Sequence, residues 1–431
     1  MLLEGECHMS NPIEDAKKLY TYAYPVVISS VLSRGKRERF LQLSHGRKFV
    51  SAKDDFPIVR PNNDTLYSTV WTHLAESPYI LEIPEITGRY LLVDFLNSKT
   101  DIPFAVGSKN KGKEVGKYII LYREEPVPAG YEDYQVVRSE DSRNFFIVRL
   151  ESFGKEDYET ANRLQDQIII RPLYPEKITD DGEQITGLST IYLESLSLQE
   201  FYAIFAQSYT DTFIQPEYTE LFKSFGLDPA QFAYDAISEE AKTALEEGAK
   251  LAEVEIRAHE NPEKFFSNEW STTVKDLGFY GTNYDLRATV AYYGYGANLA
   301  EDSVYPATEH DQDGNPLFSS NSYRVHFEKD GLPRAEFFWS LTLYGLPSQF
   351  LADNVLDRYL INSHMLKDLV FNEDGSLDIY ISQEPPADEK LLPNWLPSSK
   401  TEEKFSLTLR IYGPDAFTLQ GNWVAPKVIR L

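Results

Sequence analysis

Two short stretches of this chain concentrate side chains able to do chemistry. The first is RPNNDTLYS, Arg60 to Ser68. Arg60 offers a planar fork suited to a carboxylate or phosphate, and Asn62 and Asn63 can orient hydroxyls or carbonyls. Asp64 can serve as general acid or base when partly buried, and Tyr67 can donate a proton or a hydrogen bond. The second is RLQDQIIIRPL, Arg163 to Leu173. Gln165, Asp166 and Gln167 are adjacent and cannot share one helix face, so some turn inward and others outward. An inward Gln or Asp needs partners, which Arg60 or Arg171 could supply.

Both stretches have a plainer reading. Pro-Asn-Asn-Asp also makes a turn whose side chains bond their own backbone, and on residue types alone that reading leads by about two to one. In the C-terminal half, Trp339, Tyr344, Tyr359, Trp395 and Trp423 could stack on sugar rings, but core packing explains them equally well. Arg358, between Asp357 and Tyr359, is either a clamp or a surface ion pair.

Other motifs fall away on inspection. G-Y-G-A-N-L, Gly294 to Leu299, lacks a third glycine and follows a helical pattern, so a helix C-terminal cap is the better account. E-H-D-Q-D-G, Glu309 to Gly314, has Ser320 where a calcium loop needs a bidentate Glu. The histidines are His8, His45, His73, His259, His310, His326 and His364. They form no close ligand pair, and no G-x-S-x-G elbow exists. His73 and His326 lie in strand-like segments and would be the ligands of a metal site assembled from distant strands; a packed structural role is the commoner fate of each. The reading assigns no metal and no cofactor.

Certain elements must position these residues. Ser10 or Asn11 caps a helix with Pro12 at its first position, and Pro25 should kink or divide it. From Thr65 to Ser152 the segments TLYSTVWTHL, YILEI, RYLLVDFL, KYIILYR and NFFIVRL read as strands between turn signals. A helix is expected from about Tyr158 to Ile169. Leu196 to Asn298 reads as mainly helical, most clearly Ser238 to Asn261. From Tyr323 the strands YRVHF, AEFFWSLTLY, LDIYIS and FSLTLRIY return, with Asp-Gly turns at 328–331 and 372–375. The expected division is a helical region over 1–55, a β-rich domain over 56–185, a helical connector over 186–300 and a second β-rich domain over 301–431. The class is α+β.

Composition sets the outer limits. With 431 residues, 42% of them hydrophobic, the chain can bury real cores. A net charge of −25 repels phosphate backbones and anionic lipid, which argues against nucleic-acid and membrane partners. The single cysteine, Cys7, rules out an internal disulfide and a thiolate zinc cluster. The opening MLLEGECHM has neither a basic region nor a long apolar stretch, so a cytoplasmic setting is expected. A homo-oligomer suits a β-rich protein of this size.

Taken together, the motifs resemble a tandem family. VRPNNDTLYSTVW, GRYLLVDFL and RLQDQIIIRPL are similar to domain of unknown function 1254. GYGANLAEDSVYP, HFEKDGLPRAEFFWSLTLYG, DRYLINS, NWLP and FSLTLRIYGP are similar to its companion, domain of unknown function 1214. The resemblance implies two β-sandwich-like domains of jelly-roll type joined by helices. Family members often carry an export signal, and none is expected from the opening residues MLLEGECHM. The positions that fall in the shared motifs are Arg60, Asn62, Asn63, Asp64, Tyr67, Gln165, Asp166, Gln167, Trp339, Arg358, Tyr359, Asn394 and Trp395. The expected function is an enzyme acting on a small polar or glycan-like substrate, with Asp64 or Asp166 as acid/base, Tyr67 assisting, and the others binding substrate. The alternative is a ligand-binding or assembly protein whose polar motifs are structural.

Overall fold

The computed structural model describes residues 11–54, 60–107, 109, 116–182, 193–258 and 268–431. Asn11 caps helix α1 (Pro12–Ser33), its side chain accepting from the Glu14 N–H. The helix runs through Pro25 as one element, where the sequence suggests a kink or division. Residues 19 to 29 are buried without a break, so packing on every side holds the segment helical.

The first β-rich region comprises α2 (Glu38–Leu41), β1 (Ser44–His45), β2 (Thr65–Trp71), β3 (Tyr79–Ile83), β4 (Leu91–Leu96), β5 (Phe104–Gly107), β6 (Gly116–Tyr122), β7 (Gln135–Ser139), β8 (Phe145–Glu151), α3 (Tyr158–Gln165) and β9 (Ile169–Pro172). One sheet has the order β1-β2-β8-β4-β5 and the other β7-β6-β3-β9. Helix α3 is shorter than the sequence suggests. The β-branched residues Ile169 and Ile170 are drawn into strand β9, which pairs with β3.

Helices α4 (Leu198–Ser208), α5 (Pro216–Ser224), α6 (Glu239–Ala258) and α7 (Tyr284–Tyr293) follow. With α1 they build one apolar core. Helix α6 lies so close to α1 that a Cβ on Gly248 would sit 2.6 Å from the Ala16 Cβ, so only glycine fits. Gly294 ends α7, its N–H bonding the Val290 carbonyl, as the capping reading of G-Y-G-A-N-L requires.

The second β-rich region holds β10 (Ser303–Val304), β11 (Ala307–Thr308), β12 (Tyr323–Phe327), β13 (Ala335–Leu346), β14 (Leu360–Asn362), β15 (Leu377–Ser382), β16 (Trp395–Pro397), β17 (Lys404–Pro414), α8 (Ala416–Leu419) and β18 (Lys427–Arg430). Its sheets have the orders β10-β17-β13-β14 and β16-β15-β12-β18. The architecture is mixed α+β, with several largely antiparallel sheets, a long N-terminal helix and, among the described residues, no closed barrel. No helix of the described residues is long and apolar enough to cross a membrane.

Strand periodicity explains how the sheets stack. Successive strand residues point to opposite faces. In β4, Leu91, Val93 and Phe95 enter the core shared by the first two sheets, together with Phe146, Val148 and Leu150 of β8. In the second region Leu341 and Leu343 of β13 and Leu407, Leu409 and Ile411 of β17 enter the other core. The alternate residues in the middle of the same four strands face away from those cores, yet they too are buried. They meet one another, and that meeting forms the candidate site.

Candidate functional site at the junction of two sheets

The junction is lined from one side by Asp94 of β4, Arg149 of β8 and Tyr67 of β2, and from the other by Ser340, Thr342 and Tyr344 of β13 and Arg410 and Tyr412 of β17. Register places these groups. Tyr67 lies opposite Arg149 across β2 and β8. Ser340 lies opposite Arg410, and Phe338 opposite Tyr412, across β13 and β17. Aromatic contacts seal one flank: Tyr412 stacks on Phe338 at 4.1 Å between centroids and meets Tyr90 edge-on at 5.2 Å.

The RPNND stretch threads between the two sheets and bonds almost continuously to the second. The Arg60 carbonyl accepts from Arg410 Nη2 at 3.3 Å, and the Pro61 carbonyl accepts from the Tyr344 hydroxyl at 2.7 Å. Asn62 Nδ2 donates to the hydroxyls of Tyr412 at 2.8 Å and Tyr67 at 3.2 Å. Its Oδ1 accepts from the Asp64 N–H at 2.7 Å, the self-bonding turn that the residue types suggest. Turn and contact are therefore made by one side chain. Asn63 turns away and donates to the Val50 carbonyl at 2.9 Å.

Asp64 is buried at the centre. Its Oδ2 accepts from Ser340 Oγ at 2.6 Å and from the Tyr412 hydroxyl at 3.3 Å. Burial raises its carboxyl above the ordinary range, opposed by Arg410, Ser340 and Tyr412. Arg410 donates to Thr342 Oγ1 at 2.9 Å and to the Tyr344 hydroxyl. Burial works against its charge, but Tyr344, Tyr412 and Asp64 hold its proton more tightly than in water.

A second buried pair lies alongside. Arg149 is bonded to Asp94 and to the Gly296 carbonyl, and its guanidinium sits 5.5 Å from the Tyr67 ring. Burial raises Asp94 to about 6, opposed by Arg149. Asp302 is raised to about 7, first by burial and then by Asp94 and Glu301. Tyr305, raised to about 12 by burial and lowered by Arg149, bonds Ser303 Oγ at 2.6 Å and Asn298. Five buried polar atoms here have no hydrogen-bond partner among the described residues: Asp64 Oδ1, Tyr90 hydroxyl, Asp94 Oδ1, Arg149 Nε and Asp302 Oδ2. Asn62, Tyr67 and Tyr305 are only partly buried and form the accessible edge.

Of the sequence candidates, Asn62, Asp64 and Tyr67 converge here. Arg60 stands at the margin, bonding Gln349 Oε1 at 3.0 Å and Thr408 Oγ1 at 3.3 Å, and facing Glu309 at 3.5 Å. Gln165 is the inward residue of its trio. It donates to Ser68 Oγ at 2.9 Å and to the Gly46 carbonyl at 3.2 Å, and its charged neighbour is Arg47, not Arg60 or Arg171. Asp166 pairs with Arg47 at the surface, and exposed Gln167 donates to the Arg163 carbonyl at 3.2 Å; neither reaches Asp64.

The remaining candidates lie elsewhere. Trp339 is core, packed 5.6 Å from Phe327. Asn394 is fully engaged, exchanging bonds with both backbone groups of Val370 and donating to the Asp378 carbonyl, each at 2.8 Å. The Tyr359 hydroxyl accepts from the Ala52 N–H and donates to Asp357, both at 3.1 Å. Arg358 and Trp395 line a separate groove. His73 pairs with Glu76 and His326 with Asp378, and no three His, Cys, Asp or Glu converge as a metal-ion site among the described residues. His8 and His259 fall outside them.

Sequence reasoning passed over Asp94, Arg149, Ser340, Arg410 and Tyr412. The signal was present: LLVDFL has a lone Asp, LTLRIY a lone Arg, and FFIVRLE an Arg followed by a terminal Glu, each within a strand that is otherwise largely apolar. A strand buried on both faces with one charge requires a buried partner.

With the geometry in place, comparison with known proteins gives the class. Residues 40–172 match the model of a protein of unknown function, DUF1254, and residues 302–416 that of another, DUF1214. The chain belongs to the proteins that carry these two domains in this order. The VPA0106 protein from Vibrio parahaemolyticus shares the fold, with a TM-score of 0.69 at 19% identity over 98% of this chain and 100% of that one. An uncharacterized protein from Burkholderia cenocepacia aligns at a TM-score of 0.43 and 11% identity, over 97% of this chain and 94% of the other. No curated protein is significantly similar to the chain.

Proposed function

We propose that the chain is an enzyme acting on a small polar or glycan-like molecule at the junction, by acid/base chemistry of the kind hydrolases and lyases use. The observation that carries this reading is the group of partnerless buried polar atoms on Asp64, Tyr90, Asp94, Arg149 and Asp302, behind an edge of hydroxyl and amide groups. Buried polar atoms in native proteins are otherwise nearly all bonded, and unpaired ones mark sites that take up polar molecules. In this reading Asn62, Tyr67 and Tyr305 hold substrate hydroxyls, and Asp64 supplies the acid/base function through the Tyr412 hydroxyl. Arg149 and Arg410 stabilise negative charge that develops between the sheets. Each β-rich region winding as a jelly-roll sandwich belongs to the same proposal and is supported by the core each pair of sheets shares.

Tyr67→Phe is the informative variant, because the only hydrogen bond its hydroxyl makes among the described residues is the one from Asn62. A panel of small polyols, sugars and hydroxy acids should include compounds that raise the melting temperature of the native chain, and Tyr67→Phe should lose that rise while melting within about 0.5 kcal/mol of it. A second reading, a non-catalytic protein locked by this network, is favoured by the direct bonds from Asp64 to Ser340 and Tyr412. It predicts that no compound stabilises the native chain and that Asn62→Ala costs about 1–3 kcal/mol.

A further inference from the structure

A groove of about 430 Å³ opens in the C-terminal region, and it shares no lining residue with the junction. That volume falls within the range of small-molecule sites. Its walls are mostly apolar, Leu356, Met365, Leu369, Leu392 and the buried Trp395, and its charged lining residues are Arg358 and the exposed Asp368. Leu356 is 48% and Leu392 39% exposed at the mouth, so apolar surface there remains in water. Trp395 is fixed, its indole N–H donating to the Ser382 carbonyl at 3.1 Å.

One cation stands in this wall. Arg358 Nη1 donates to the carbonyls of Leu392 at 3.0 Å, Pro393 at 3.3 Å and Trp395 at 2.9 Å. These three bonds fix the guanidinium at the groove and use one nitrogen. Burial loosens its proton, and although Asp368 also lines the groove, Arg358 forms no ion pair with it or with any other carboxylate among the described residues. An Arg358–Asp357 pair is the plain sequence reading, but Asp357 bonds Lys53 and Tyr359 instead. A half-buried guanidinium without a carboxylate is arranged to receive one.

We propose that this groove binds a small amphiphilic anion, an apolar chain or ring bearing a single carboxylate. The carboxylate lies against Arg358, and the apolar body lies along Leu356, Met365, Leu369, Leu392 and Trp395. Charge complementarity selects this occupant. A neutral apolar molecule leaves the guanidinium unpaired, and a cation is repelled by it. A second copy of this chain, carrying −25 itself, is opposed by net repulsion between the two molecules. An anionic bilayer is disfavoured on the same ground.

Isothermal titration of the full chain with sodium octanoate and with n-octanol, which lacks the carboxylate, tests the assignment. Octanoate should bind at one site and more tightly than octanol. Arg358→Gln should weaken octanoate by about tenfold or more while leaving octanol nearly unchanged. Because Arg358 also anchors the loop at 392–395, a second variant guards against misfolding. Leu356→Asp, at an exposed rim position, should fold normally and weaken octanoate by a similar factor. Absence of octanoate binding, equal affinity for octanoate and octanol, or undiminished octanoate binding by folded Leu356→Asp would each overturn the proposal. So would concentration-dependent dimerisation that Leu356→Asp abolishes and octanoate leaves untouched.

Discussion

Asp64, at the head of strand β2, and Ser340, in the middle of β13, are joined by a 2.6 Å hydrogen bond across 276 residues of sequence. The bond ties the DUF1254 region to the DUF1214 region through a buried carboxylate that also faces Arg410. Ser340→Ala should lower unfolding free energy by about 1–2 kcal/mol, the cost of one lost buried hydrogen bond. Asp64→Ala leaves Arg410 buried without its carboxylate and should cost about 3–5 kcal/mol. Urea denaturation followed by tryptophan fluorescence reads both; an Asp64→Ala loss under about 1 kcal/mol would show that Arg410 does not depend on Asp64.

The Asp94–Arg149 pair should behave as a unit. Either single replacement by alanine strands a buried charge and should cost about 3–5 kcal/mol. The double variant Asp94→Leu/Arg149→Met replaces both with apolar groups of similar length and should recover most of that loss. A double-mutant cycle closed with the single variants Asp94→Leu and Arg149→Met measures the coupling, and additive losses would contradict it.

Asp302 gives the fold an unusual pH dependence. Its folded carboxyl titrates at about 7, against roughly 3.9 in an unfolded chain. Between those values the folded state binds more protons than the unfolded one, so this contribution is full below roughly pH 4 and is lost as pH rises toward 7. Asp94, raised to about 6, acts in the same direction. Asp302→Asn removes the titration and keeps the shape. The variant should gain stability relative to the parent as pH goes from 5 to 8, by an amount on the order of a few kcal/mol. Urea midpoints at the two pH values measure the difference, and an unchanged difference would place Asp302 in water-like surroundings.

The Gln165, Asp166 and Gln167 trio separates inward from outward chemistry. Gln165→Ala removes a buried donor from the Gly46 carbonyl and from Ser68 Oγ, which keeps only its bond to His45 Nδ1, and should cost about 1–3 kcal/mol. Asp166→Ala and Gln167→Ala, at exposed positions, should each change stability by less than about 0.5 kcal/mol. Thermal melts of the three single variants suffice, and equal effects would invert the orientation described above.

What the sequence determined by itself is local. Alternation in TLYSTVW, FFIVRL and FSLTLRIY marked strands, because side chains two apart share a face whatever lies beyond it. Asn11 with Pro12 and the acidic first turn marked the start of α1, and Asp-Gly pairs marked turns, because these act through backbone atoms a few residues away. The same logic found the Asn62 turn. Tertiary structure decided which faces met. A lone Asp in LLVDFL and a lone Arg in LTLRIY look identical whether the far face is wet or dry, since their partners lie on other strands. Only the stacking of β4 and β8 on β13 and β17 turned those residues into a buried network around Asp64. Only the sheet pairing of β9 with β3 cut the helix at Gln165 and left Asp166 in solvent. Contacts across hundreds of residues depend on how whole sheets twist and pack, and no short window of sequence carries that information.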